Sequence, residues 1–162
     1  LVGKDGIGDS WIGEGIHFGS KAWLDYSFSV QFRIISRGSD WRDGPWFAFR
    51  YIDDMNTYSL NFSGRDIQLH KVSQGIGTGD DNPLASVPWV PDGSWHNLMI
   101  DLKGNQIVVF LDEKEIIRVV DDGYNATPPL LKGEIVLIPR KWSGSEGGTV
   151  VAYRDVRLEV EK

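Results

Sequence analysis

Four tryptophans that lie outside any regular apolar pattern are the residues of this sequence best suited to hold a ligand. They are Trp41, Trp46, Trp89 and Trp142. Each is flanked by Gly, Pro, Asp, Arg or Ser, as in the stretch SRGSDWRDGPWFAFR. One face of a sugar ring is a patch of C–H groups, which an indole covers through dispersion and hydrophobic contact. The pattern therefore predicts that these four side chains stack on saccharide rings.

Charged side chains near these tryptophans have the chemistry to bind the polar rim of such a ring. Arginine presents a planar fork of donors, and a carboxylate accepts several hydrogen bonds at once. Because arginine pairs with neutral hydroxyls as well as with acidic sugars, the charge of the ligand stays open. We expect four residues to bind hydroxyl or carboxylate groups of the ligand: Arg42, Asp43, Arg50 and Lys141.

The other three tryptophans fit the interior. Trp11 and Trp23 neighbour strand-like sequence, and Trp95 opens an alternating segment. Large aromatic side chains in such positions are mostly buried. We therefore assign Trp11, Trp23 and Trp95 to the core.

The sequence carries no pattern typical of catalysis. Cleavage of a glycoside needs two carboxyl groups about 5–9.5 Å apart. The acidic pairs stand close to Asn or Gly, which favours turns; they are Asp53–Asp54, Asp80–Asp81 and Asp121–Asp122. The three histidines are widely separated, and neither a nucleophile elbow nor a phosphate-binding loop occurs. We therefore expect a protein that is not an enzyme.

Short β-strands are the elements that must position these residues. Apolar residues alternate with polar ones in DYSFSVQFRI, TYSLNF and RDIQLHKV, and SWHNLMIDL, QIVVFLD and KEIIRVV form a meander. In WFAFRYI the alternation places Phe47, Phe49 and Tyr51 on one face, with Ala48 and Arg50 on the other. About ten strands and no convincing helix predict one all-β domain over residues 1–162, an antiparallel sandwich or barrel.

The outward positions of four of these strands form a second candidate surface. If the strands share one sheet, they make a polar stripe able to hydrogen-bond an extended glycan. Its members are Gln31, Arg33, Arg50, Asn61, Gln68 and His70. An ordinary solvated sheet face is the alternative.

Composition limits the partners. The net charge of −6 argues against a nucleic-acid backbone or an anionic membrane as the main partner. The chain has no cysteine, so it forms no disulfide, and no apolar run reaches the roughly 18 residues of a membrane span. Because it begins at Leu1, we expect a module excised from a larger protein.

Several segments in this order resemble the concanavalin A-like lectin/glucanase jelly rolls. They are WFAFRYIDDMNTYSLNF, IQLHKV, GSWHNLMIDLKGNQIVVFLDEKEI, GEIVLI and AYRDVRLEV, and the resemblance covers the chain from Tyr26 to its end. Within that superfamily they are similar to the 3-keto-disaccharide hydrolase-like domains and to levan-binding type carbohydrate-binding modules of secreted glycosidases. The Glu-x-Asp-x-x-Glu string of the glucanase branch does not occur.

The resemblance implies a jelly-roll β-sandwich and a non-catalytic carbohydrate-binding module. Such a module targets a secreted polysaccharide-degrading enzyme to its glycan, which implies an extracellular, bacterial, monomeric domain of a multimodular chain. Many related modules hold a structural calcium, for which Glu14 and Asp155 are the candidate ligands. A glycoside hydrolase or polysaccharide lyase of the same fold and a structural or adhesion sandwich remain the alternatives.

Overall fold

A computed structural model describes residues 2–4 and 15–160 and places them in two antiparallel sheets. The six-stranded sheet has the spatial order β1-β13-β3-β9-β10-β11. Its strands are β1 (Val2–Lys4), β3 (Tyr26–Ser36), β9 (His96–Lys103), β10 (Gln106–Leu111), β11 (Lys114–Val120) and β13 (Val150–Val160). β9, β10 and β11 form the predicted meander.

The second sheet has seven strands, in the order β2-β12-β4-β5-β6-β7, with β8 also paired to β6. They are β2 (Ile16–Phe18), β4 (Gly44–Asp53), β5 (Asn56–Phe62), β6 (Asp66–Ser73), β7 (Ile76–Gly77), β8 (Ala85–Pro88) and β12 (Glu134–Arg140). The helical content of the described residues is one 3₁₀ turn, Tyr124–Ala126, and no helix among them is long and apolar enough to cross a membrane. The all-β antiparallel sandwich is confirmed.

The core lies between the two sheets, and strand alternation builds it. The inward residues of β3, from Tyr26 to Phe32, are at most 1% exposed. Phe32 makes edge-on ring contacts with Phe47 at 5.3 Å and with Phe62 at 4.8 Å, so aromatic side chains of both sheets interdigitate. Each such ring contributes roughly 1.5–3 kcal/mol through burial.

A β-bulge in β4 breaks the alternation that the sequence predicts after Phe49. Arg50 has a φ of +47°, and the three steps of β4 from Ala48 to Tyr51 pair with only two steps of β12. An extra residue in one strand exchanges the faces of the residues after it. Tyr51 therefore joins Trp46 and Ala48 on the outer face, while Arg50 turns inward. The predicted faces of Tyr51 and Arg50 are wrong for this reason.

Arg50 is fully buried and joins loops at one end of the sandwich. Its Nη1 donates to the carbonyl oxygens of Gly104, at 2.5 Å, and Leu130, at 2.8 Å. Its backbone N–H donates to the Tyr26 hydroxyl at 2.9 Å, and burial lowers the pKa of its guanidinium. The structure thus places Arg50 in the interior with its guanidinium bonded to protein carbonyls, and its expected role in ligand binding stays a prediction.

An ion pair between Lys71 and Asp121 is buried near the same loops. Lys71 Nζ lies 2.7 Å from Asp121 Oδ2, and the two side chains are 0% and 1% exposed. The carboxylate also accepts from the Tyr58 hydroxyl at 2.5 Å and from the Gly123 N–H at 2.9 Å, and Lys71 donates to the Thr127 carbonyl. Burial alone would raise the pKa of Asp121, but the bonds from Lys71 and Tyr58 lower it. Asp121 is therefore an interior anion rather than a simple turn residue.

The three tryptophans assigned to the core have different outcomes. Trp23 is partly buried and packs against the core, as expected. Trp95 does not pack there, because it stands just before β9 with the Arg154 guanidinium 4.1 Å from its ring centre. Trp11 lies outside the described residues.

Candidate ligand-binding groove

The outer face of the seven-stranded sheet carries rows of polar side chains beside an indole. In one row Trp46 of β4 pairs with Asn61 of β5, which pairs with Gln68 of β6. In the next row Ser59 of β5 pairs with His70 of β6. Residues two apart on a strand share a face. The indole of Trp46 therefore lies beside a floor of small and polar side chains, formed by Ser59, Asn61, Gln68 and His70.

A groove of about 210 Å³ lies over this floor. Trp46 and Trp142 line it on one side, and the loop between β7 and β8 lines it with Thr78 and Asp80. It adjoins a second cavity of about 430 Å³, which shares Asp54 in its lining. Towards Trp41 it narrows to a crevice of about 10 Å³, room for roughly one water molecule. The groove is thus wide at the Asp54 end and almost closed at the Trp41 end.

Two polar atoms of the groove lining lack a partner. Neither Trp46 Nε1 nor Asn61 Oδ1 has a hydrogen bond to any of the described residues, although both atoms are buried. Leaving a buried polar group unpaired costs about 1–3 kcal/mol. A ligand hydroxyl, which both donates and accepts, can supply the missing bond to either atom.

His70 is a neutral, fixed part of the floor. Desolvation lowers its pKa. The Gln68 side chain donates to Asp66 Oδ2 and to the Asp80 carbonyl, so its Oε1 accepts from His70 Nε2 at 3.0 Å. Nδ1 of the neutral ring then accepts from the Thr78 hydroxyl at 2.9 Å. The imidazole contributes shape and polarity to the groove, but no charge.

Arginines alternate with the tryptophans at the closed end. The Arg42 guanidinium lies 4.0 Å from the ring centre of Trp142 and 5.6 Å from that of Trp41, and Arg65 lies 3.4 Å from Trp41. Asp40 holds Arg42 through two bonds of 2.8 Å. The hydrogen bond from Arg42 is the main cause that lowers the pKa of Asp40 to about 2. The predicted residues Trp41, Arg42 and Trp142 thus come together, with a guanidinium between the two indoles.

Asp43 is buried beneath this cluster and ties its loops together. Its Oδ1 accepts from the Trp142 N–H at 2.6 Å, and its Oδ2 accepts from the Asp40 N–H at 3.0 Å and from the Ser145 hydroxyl. The side chain is 0% exposed. The oxygens of Asp43 thus bond the protein and hold the backbone at Trp142, and direct ligand binding by Asp43 stays a prediction.

Two of the remaining predicted site residues, Trp89 and Lys141, do not line the groove. Trp89 packs at the edge of the core, with its ring centre 5.1 Å from Phe62 and 5.7 Å from His96. Lys141 is half-buried beside Trp142 and does not line the groove. Trp46 does line it, but is only 7% exposed, so it offers less ring surface than predicted.

The predicted polar stripe is divided between the sheets. Gln31 and Arg33 belong to β3 of the six-stranded sheet, whereas Asn61, Gln68 and His70 lie together on the groove side. Ser59 and Thr57 also face the groove, and the alternation of TYSLNF was the signal that could have identified them. Asp54 and Asp80 were assigned to turns, and no local pattern shows that their side chains share one groove.

Asp155, one of the two candidate calcium ligands, lies on β13 of the six-stranded sheet. Asp155 is exposed, and its carboxylate lies 4.0 Å from Arg154 Nε. In residues 2–4 and 15–160 no three acidic or histidine side chains come together to hold a metal. Glu14, the other candidate ligand, lies outside the described residues.

No protein-family model matches this chain, and neither does any curated protein sequence. Several solved structures do match this chain. The carbohydrate-binding module CBM66 from Bacillus subtilis aligns with a TM-score of 0.62 at 16% identity, over 84% of this chain and 75% of that one. A variant of human galectin-16 aligns with a TM-score of 0.62 at 17% identity, over 94% and 99%.

A variant of the GH43 protein BlXynB from Bacillus licheniformis aligns with a TM-score of 0.70 at 12% identity. The match covers 99% of this chain and 33% of that one. At such identities the likenesses define the fold, a jelly-roll sandwich of the concanavalin A type. The narrower resemblance to 3-keto-disaccharide hydrolase-like domains stays a prediction.

Proposed function

We propose that this chain is a non-catalytic carbohydrate-binding module that holds a glycan in the groove over β4, β5 and β6. The observation that carries the proposal is the meeting of an indole wall with a polar floor. Trp46 and Trp142 form the wall, and amide, hydroxyl and imidazole groups form the floor. Binding sites for small ligands combine apolar surface with a few converging polar groups in this way.

Trp142 is the principal stacking surface in this proposal. It is half-buried, one face is covered by Arg42, and its side chain lines the groove. Asn61 and Trp46 then bond ligand hydroxyls through their unpaired atoms. The likeness to a carbohydrate-binding module supports this assignment at the level of the fold.

We also propose the wider setting that the sequence suggests. The chain would belong to a secreted, multimodular polysaccharide-degrading enzyme and would act as a monomer that holds the enzyme on its substrate. The likeness to one third of a GH43 chain supports a place within a larger protein.

Affinity electrophoresis in gels that contain polysaccharides tests the proposal. We expect Trp142→Ala to lose retention, because truncating a buried contact aromatic costs about 1–3 kcal/mol, or roughly 5- to 150-fold in affinity. Trp95→Ala is the matched control, since it removes a half-exposed indole beside the other sheet. Equal retention of wild type and Trp142→Ala would reject the site.

A glycoside hydrolase or lyase is the second candidate, and one observation favours it. Asp54 and Asp80 line the same groove, and glycoside cleavage uses a pair of carboxyl groups. Release of reducing ends from the retained polysaccharide, abolished by Asp54→Asn or Asp80→Asn, would establish an enzyme. A structural or adhesion module would instead bind no glycan and would self-associate.

A further inference from the structure

The charged residues that line the two open cavities of the groove all have one sign. In the part of the chain that the structure describes, Asp54 and Asp80 are the charged side chains that line the 210 Å³ cavity, and Asp54 alone is the charged one in the adjoining 430 Å³ cavity. Neither lining contains lysine or arginine. The groove therefore presents negative charge along its accessible length.

Asp80 lines both the 210 Å³ cavity and the crevice at the closed end. Asp54 lines the 210 Å³ cavity and the adjoining 430 Å³ cavity, and it accepts from the Tyr51 hydroxyl at 3.1 Å. A ligand that fills the groove thus meets one carboxylate towards the closed end and another towards the wide end.

Three cations close to residues of the groove have partners or ring contacts of their own. Arg42 is held by Asp40 and covers Trp142, and Arg140 lies 5.0 Å from the ring centre of Trp46. Lys71 of β6 points into the interior and pairs with Asp121. His70 is buried, and desolvation lowers its pKa, which disfavours a positive charge on its ring.

We propose that the groove selects neutral glycans and rejects polyuronates, a selectivity that rests on the proposed function. A uronate in the two open cavities gains no lysine or arginine counter-ion from their lining and meets two like charges. At a separation of about 6 Å, each repulsion in water weakens binding by about threefold, or about tenfold for the pair. Exclusion of water by the ligand increases this factor.

The first experiment is a panel of affinity gels at low ionic strength. The neutral probes are laminarin, xyloglucan, galactan and levan, and the acidic probes are polygalacturonate and alginate. We expect retention by at least one neutral polymer and by neither acidic one. Retention by an acidic polymer as strong as by any neutral one overturns the selectivity and leaves the proposed function standing. No retention by any polymer overturns both.

The second experiment attributes the selectivity to the two carboxylates. The probe is a lightly carboxymethylated form of the retained neutral polymer. We expect the wild type to bind it about tenfold more weakly than the parent polymer, and Asp54→Asn/Asp80→Asn to abolish that difference. Asp155→Asn/Glu159→Gln is the control, because it changes the net charge equally at exposed positions of the other sheet. The inference is refuted if Asp54→Asn/Asp80→Asn still binds the carboxymethylated polymer more weakly by the same factor. It is also refuted if both double variants lose this difference in binding equally.

Discussion

The buried ion pair predicts an asymmetric response to the loss of its two partners. Asp121→Asn leaves the Lys71 ammonium in the interior with no anion beside it among the described residues. Lys71→Met leaves the Asp121 carboxylate with two neutral donors, the Tyr58 hydroxyl and the Gly123 N–H. Removing one member of a buried pair costs about 3–5 kcal/mol. We expect Asp121→Asn at the upper end of this range and Lys71→Met at the lower end.

Urea unfolding of the two variants measures this difference. The expected losses are a large part of the roughly 5–15 kcal/mol by which a domain is stable. With a slope of about 2 kcal/mol per molar urea, the midpoints fall by about 1.5–2.5 M. Lys71→Met/Asp121→Asn should recover part of the loss, because no buried charge then remains at this position. If both single variants lost less than about 1 kcal/mol, the pair would not hold these loops together.

The pH dependence of stability provides an independent check on the same pair. The folded pKa of Asp121 is lowered. Its contribution is therefore fully present above its ordinary pKa and is lost as the pH falls through the lowered folded value, that is, below about pH 4. Asp121→Asn should lack this part of the acid-induced loss. Identical acid profiles for the wild type and the variant would contradict the assignment.

Two further predictions concern residues that position others. Arg50→Met should destabilise the fold by about 2–4 kcal/mol, because it leaves the Gly104 and Leu130 carbonyls unpaired. In that variant the glycan affinity at 25 °C should be unchanged; a weakened affinity of the folded protein would place Arg50 in the site after all. Asp43→Ala should lower the melting temperature and also weaken glycan retention, because it releases the backbone at Trp142. Calorimetry and affinity gels of the same samples check both variants, and full retention by Asp43→Ala would contradict its positioning role.

The sequence predicted the sandwich because strand alternation is a local property. The core residues of β3 and β5 follow directly from it, and so does the polar floor of the groove. The bulge at Arg50 could not be predicted, since its φ of +47° leaves no mark in an alternating segment. The alternation therefore predicted Tyr51 on the inner face and Arg50 on the outer face, which is the reverse of what the structure has.

The candidate site was predicted only in part, because contacts distant in sequence build it. Asp43 bonds the Trp142 backbone across 99 positions, and nothing near Asp43 indicates this. Asp80 and Trp142 line the same groove only because the seven-stranded sheet brings the loop after β7 and the loop after β12 to one face. Residue types beside turns predicted a shared surface for Trp41, Arg42 and Trp142, which do lie together, but could not show which of their faces were already covered.

The bracing of Arg42 has a consequence for the thermodynamics of recognition. Asp40 and the indoles of Trp41 and Trp142 already immobilise this guanidinium. The indole wall at Trp142 is therefore preorganised, and little affinity is lost to the ordering of its side chains when a ligand binds. Because the pKa of Asp40 is only about 2, its carboxylate stays ionised in mildly acidic solution and keeps its ion pair with Arg42. The shape of the wall should thus persist from mildly acidic to alkaline media.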